Sequence, residues 1–188
     1  GNAQSGGVPG RLAGMASSND PLYDFDRSPF TDEDVTREVY RSGEGPNCIV
    51  MAEIPGITPA VADFARRVRT LGCSVTLPVL FGEPGRSISP SYIARSITKA
   101  CVASEFAAFA TNSTAPISTW LRSLANAEHE RCGGPGVGAV GMCFTGGFAL
   151  AMSTEPSMLA PVLSQPSLPI ALNKSRAADL ACSDQDLL

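Results

Sequence analysis

"GAVGMCFTGGFALAM", residues 138–152, sets one cysteine between two glycine-rich halves, where a strand pattern gives way to a helix pattern. In Gly141-Met142-Cys143-Phe144-Thr145, small residues stand two positions either side of the cysteine, the spacing of a nucleophile elbow. A strand that turns directly into a helix forces the central residue into sparsely populated backbone angles, and small neighbours relieve the clashes. The central side chain then projects at a helix N-terminus, where amides favour a thiolate and stabilise an oxyanion. The plainer reading is a glycine-rich junction holding a cysteine that packs as a small hydrophobe.

The flanking chain favours a strand-turn-helix corner. "VGAVGM" (137–142) reads as a strand and "GGFALAMS" (146–153) as the start of a helix. Gly136-x-Gly138-x-x-Gly141 matches a dinucleotide-binding fingerprint by letter. That fingerprint needs a strand before its glycines and a helix opening within them. Here a helix and "CGGP" come before and the strand runs through, so a dinucleotide site is rejected.

Further out, strands and helices alternate. "VTREVYRS" (35–42) alternates as a strand, and "CIVMAEI" (48–54) is the near-continuous apolar run of a strand covered on both faces. "AVADFARRVRTLG" (60–72) carries Val61, Ala65 and Val68, with Phe64 and Leu71 on the same side, at helical spacing. Pro59 suits its first turn and Gly72 its C′ position. "CSVTLPVLF" (73–81) is a strand, and "YIARSITKACVASEFAAFA" (92–110) is partly helical. "ISTWLRSLANAEHERCGG" (117–134) is a helix with Ile117, Trp120, Leu121 and Leu124 on one face. "MLAPVLSQ" (158–165) is a strand, and "SRAADLACSDQDLL" (175–188) a helix. This order predicts an α/β domain: a mainly parallel sheet with right-handed crossovers and helices on both faces, over residues 35–188. Residues 1–34, glycine-rich and then turn-rich, are expected to be disordered or extended.

The totals narrow the function. The chain has 188 residues, 44% hydrophobic and 17% charged, enough for one domain with a sizeable core. A net charge of −4 gives no invitation to nucleic acid or an anionic membrane, and the arginines of "FARRVRTLG" fit the wet face of a helix. No apolar run approaches the roughly 18 residues of a membrane span, and no signal-peptide pattern is present. Six cysteines stand singly, without a CxxC pair, which argues against a zinc site and a disulfide framework and points to a reducing cytoplasm.

In open parallel sheets ligands bind beyond the carboxyl ends of the strands, and Glu53 and Cys143 both fall at such ends. An acid closing the run "CIVMAEI" is costly to bury alone. It either reaches solvent at the strand end or lies near Cys143, where a carboxylate can hold or accept the thiol proton.

"VMAEIPGITPAVADFARRVRTLGCSVTLPVLFG" (50–82) followed by "GVGAVGMCFTGGFALAM" (136–152) resembles the dienelactone hydrolase family of the α/β-hydrolase fold, over roughly residues 35–165. The resemblance implies that Cys143 is the nucleophile and that Glu53 contacts it at rest. The oxyanion amides would be those of Phe144 and Ile54. It implies hydrolysis of a small-molecule lactone or ester through a cysteine acyl-enzyme, with no metal or organic cofactor. Two departures stand out. Thr145 replaces the first glycine of the family's G-x-C-x-G-G, and the arginine that holds a substrate carboxylate has no counterpart nearer than Arg86. The family's order is nucleophile, acid, histidine, yet the single histidine, His129, precedes Cys143 on a helix and off its apolar face, as a surface histidine would. Asp179, Asp184 and Asp186 lie in a polar helix, so acid and base are expected beyond Leu188. The competing readings are a truncated or non-catalytic form that binds a ligand or partner through the same cleft, and a thiol-redox role for Cys143.

Overall fold

Residues 18–102 and 116–166 are described by a computed structural model of the chain. Chain order is β1 (Asp26–Asp32), β2 (Val35–Ser42), β3 (Asn47–Met51), α1 (Pro59–Thr70), β4 (Ser74–Pro78), α2 (Pro90–Val102), α3 (Pro116–Cys132), β5 (Val137–Met142), α4 (Gly146–Met152) and β6 (Met158–Ser164). The six strands form one sheet in the order β1-β2-β4-β3-β5-β6. β1 and β2 are antiparallel to each other, and β2 to β4, while β4, β3, β5 and β6 run parallel. The mainly parallel sheet expected from the strand-helix alternation is the one observed.

β3 shows why its sequence is a continuous apolar run. Side chains alternate across a sheet, and Ile49 and Met51 pack with Trp120, Leu121 and Leu124 of α3 and Phe148 and Met152 of α4. Val50 turns the other way, against Val61, Ala62 and Ala65 of α1. Both faces are covered, so no polar alternation is possible. α1 opens where expected, with the Thr58 hydroxyl accepting from the Val61 N–H at 3.4 Å and Pro59 in the first turn. Gly72 follows the helix at φ +87°. Phe64 and Leu71 do not share the buried stripe: they are 36% and 81% exposed. The sheet receives Val61, Ala62 and Ala65 of α1, with Val68 partly buried beside them, and Leu71 lies past its last turn.

The start of order expected at Val35 moves upstream. β1 pairs along its length with β2, from Asp26 opposite Arg41 to Asp32 opposite Val35. Leu22 and Phe25 are buried against α1. Arg66 binds Asp20 at 2.7 Å and Asp24 at 2.7 Å, and lies 5.5 Å from the centre of the Phe25 ring. The basic face of α1 thus holds the preceding chain rather than water alone. The helix read at 175–188 lies outside the described residues.

Candidate functional site

β5 ends at Met142, and Cys143 opens a 3₁₀ turn, Cys143–Thr145, that runs into α4. Cys143 sits at φ +51°, the left-handed region that a branchless glycine enters freely and a cysteine rarely does. The expected corner is therefore present, with its thiol half-buried. Gly141 is obligatory on packing grounds. A Cβ there would lie 2.3 Å from the Thr145 carbonyl oxygen and 2.9 Å from the Gly146 Cα. The strand that starts just after Gly136 and runs through Gly138 and Gly141 leaves no helix opening among them, as the rejected dinucleotide site would have required.

Strand register brings Glu53 to the same rim. Met51 is the partner of Gly141 across the parallel β3–β5 pair. Glu53 and Cys143 each lie two residues beyond that pair, so they leave adjacent strands at the same level. Glu53 is exposed, and its backbone carbonyl accepts from the Gly56 N–H at 2.7 Å. Ile54 and Phe144 are half-buried against the same core cluster. The Phe144 ring meets Phe81 edge-on at 5.9 Å and Phe148 at 5.4 Å, giving this rim an aromatic wall.

Tyr92 organises the rim, a role its place in "YIARSITKACV" did not reveal. Its buried hydroxyl accepts from the Glu83 N–H at 2.6 Å and lies 3.3 Å from the Pro55 carbonyl oxygen. It thereby joins the loop after β3 to the loop after β4. The two loops touch backbone to backbone, since a Cβ on Gly56 would stand 2.3 Å from the Phe81 oxygen. Arg86 pairs with Glu83 at 2.7 Å and lies 4.4 Å from the Tyr92 ring centre, so its charge is engaged in holding this loop.

His129 lies at the other end of the sheet. Its neighbour Glu128 accepts from the Asn47 side chain, at the first residue of β3, at 3.2 Å. Cys143 follows the last residue of the six-residue β5, about 20 Å away at the usual strand rise. His129 is half-buried rather than a surface histidine, and its Nδ1 is buried without a hydrogen-bond partner. Asp179, Asp184 and Asp186 lie outside the described residues. Among the described residues no cluster of three His, Cys, Asp or Glu side chains could hold a metal ion, and no helix is long and apolar enough to cross a membrane.

No family model and no curated protein matches the sequence. Solved structures do. A protein described as a dienelactone hydrolase from Klebsiella pneumoniae subsp. pneumoniae aligns with a TM-score of 0.58 at 17% identity, over 83% of this chain and 65% of its own. A dienelactone hydrolase-like promiscuous phosphotriesterase from metagenomic libraries gives 0.50 at 16% identity, over 87% of this chain and 72% of its own. The thioesterase domain from the curacin biosynthetic pathway gives 0.51 at 16% identity, over 80% and 47%. The fold is that of an α/β hydrolase. At these identities the likeness speaks for the fold, and the chain spans 65% of the length of the first of these proteins. Within that fold, Cys143 stands at the strand-to-helix corner between β5 and α4.

Proposed function

We propose that Cys143 is the nucleophile of a hydrolase acting on a small lactone or ester, as in the dienelactone hydrolase family. The observation that carries this reading is the positive φ of Cys143 at the corner, with Glu53 leaving the adjacent strand at the same level. Strained angles persist where the surroundings over-determine them, and they cluster at functional sites.

The thiol proton passes to the Glu53 carboxylate and the sulfur attacks the carbonyl carbon. The carbonyl electron pair moves onto oxygen, where the amides of Ile54 and Phe144 stabilise it. Collapse expels the alcohol oxygen, which takes the proton back, and a thioester remains on Cys143. Water then cleaves the thioester, releasing the acid and regenerating the thiol. The aromatic wall of Phe81, Phe144 and Phe148 suits a small, largely apolar acyl group.

The last step needs a base to activate water. The single histidine lies at the opposite rim, which leaves the Glu53 carboxylate to activate water and favours acylation faster than turnover by this chain. The test is p-nitrophenyl acetate with the purified chain. A stoichiometric burst with little turnover, abolished by Cys143→Ala, is expected. Sustained turnover would mean that a base reaches the site. No burst from folded protein would favour the non-catalytic form. Peptide mass spectrometry after brief alkylation adds a second check. Burial pushes the Cys48 thiol up to about 11, so Cys143 should label well ahead of Cys48.

A further inference from the structure

Thr145 is fully buried, and its hydroxyl works on the corner rather than on the helix it precedes. By position it is the N-cap of α4, yet its side chain makes no capping bond to that helix. The Oγ1 atom instead accepts from the Met142 N–H at 2.8 Å and lies 3.0 Å from both the Met51 and Met142 carbonyl oxygens. A hydroxyl has one hydrogen to give, so it donates to one of those carbonyls at a time while still accepting from Met142. Its partners are the residue immediately before Cys143 and the last residue of β3, two before Glu53. One buried atom therefore ties together the two strand ends that present the thiol and the carboxylate. Glycine, the residue the resembled family has here, could make none of these side-chain bonds.

We infer that Thr145 is a positioning residue that holds the Cys143 thiol and the Glu53 loop in register, an inference that rests on the nucleophile reading of Cys143. Left-handed backbone disfavours a non-glycine residue, so the corner keeps its angles only while its neighbours enforce them. Removing the hydroxyl leaves the Met142 N–H short of an acceptor in a partly buried setting and releases the corner from β3. The methyl group of Thr145 fills space in the same pocket, so the substitutions must separate the two contributions.

The experiment follows the pH dependence of Cys143 alkylation by iodoacetamide, read by peptide mass spectrometry, in wild type, Thr145→Val and Thr145→Ser. Thr145→Val keeps the shape and loses the hydroxyl. It should slow Cys143 labelling about tenfold at neutral pH, the order of loss expected from sub-ångström misplacement, and move the profile to higher pH. Thr145→Ser, which restores the hydroxyl, should return the wild-type profile. Far-UV circular dichroism establishes that each variant is folded. If Thr145→Val does not fold, Thr145→Ser against Thr145→Ala makes the same comparison, since that pair differs by the hydroxyl alone. A wild-type profile in the folded hydroxyl-free variant overturns the inference, and so does an equal shift in Thr145→Ser. Failure of the nucleophile reading is separate: it would show as a p-nitrophenyl acetate burst that survives Cys143→Ala.

Discussion

The two ends of the parallel strands are built to opposite specifications. At the amino ends, Glu128 is 1% exposed, and its carboxylate takes Arg41 at 2.6 Å, Arg131 at 2.5 Å, Asn47 at 3.2 Å and Thr76 at 3.1 Å. A buried charge there is surrounded by donors. At the carboxyl ends a cysteine is held in an unfavourable conformation, and a carboxylate stands exposed at the level of its thiol. One end spends polar groups on holding four elements together, and the other tolerates strain that stability alone would remove. On the proposed reading, the amino rim serves stability and the carboxyl rim serves reactivity.

The largest effect should come from breaking the amino rim. Removing one partner of a buried ion pair leaves the others uncompensated and typically costs about 3–5 kcal/mol. Glu128→Ala should therefore lower the urea midpoint sharply, while the alkylation rate of Cys143 in the folded fraction stays within about twofold of wild type. A fall in Cys143 reactivity matching that of a carboxyl-rim variant would break the division between the two ends. Next in size is Gly141→Ala. Its Cβ would meet the Thr145 oxygen at 2.3 Å, and overpacking of this kind costs about 1–3 kcal/mol. Both the melting temperature and Cys143 labelling should fall, because the new methyl group pushes on the corner itself.

A smaller effect of the opposite sign sharpens the comparison. Cys143→Gly relieves about 1–2 kcal/mol of left-handed strain and gives back about 0.5–1 kcal/mol of unfolded-state entropy. The net expectation is a variant about 0.5 kcal/mol more stable than wild type and without any acyl-enzyme. Cys143→Ser, which keeps the strained backbone, should show no such gain. If both variants are destabilised by thermal denaturation, the corner is not strained in the sense argued here.

What could be read from the chain follows the range of the forces involved. β2, β5, the opening of α1 at Pro59 and the corner at Cys143 depend on residues a few positions apart, and each stands where its local pattern placed it. β1 was missed because "DRSPFTD" carries a single large apolar residue. That residue, Phe30, finds its support in the Trp120 ring, 5.4 Å away on α3. The burial of Glu128 was equally hidden, since a glutamate on a helix reads as a wet residue until Arg41, 87 positions earlier, is folded against it. Tyr92 reads as an ordinary helix residue and Thr145 as a small residue in place of a glycine, and their bonds run to loops or strand ends that only the folded chain brings near. For the candidate site, Cys143 and the rim it shares with Glu53 were legible, while the atoms that hold that rim in place were not.

The smallest expected effect concerns the N-terminal segment, which neither rim contains. Arg66 hydrogen-bonds Asp20 and Asp24 and is paired as well with Asp63 at 2.9 Å. The hydrogen bond from Arg66 holds the Asp24 carboxyl down to about 2, and the same guanidinium lowers Asp20. A carboxylate with a depressed folded-state pKa binds protons more weakly folded than unfolded, so its contribution is present above the ordinary value and fades as pH falls. The window runs from about pH 4 down to about pH 2. Asp24 is partly exposed, so solvent screening keeps the contribution small. Acidification through this window should lower the urea midpoint, and Arg66→Met should remove part of that pH dependence while leaving Cys143 labelling at neutral pH unchanged. Equal acid sensitivity in wild type and Arg66→Met would show that the segment is held by Leu22 and Phe25 against α1, with the charges as bystanders.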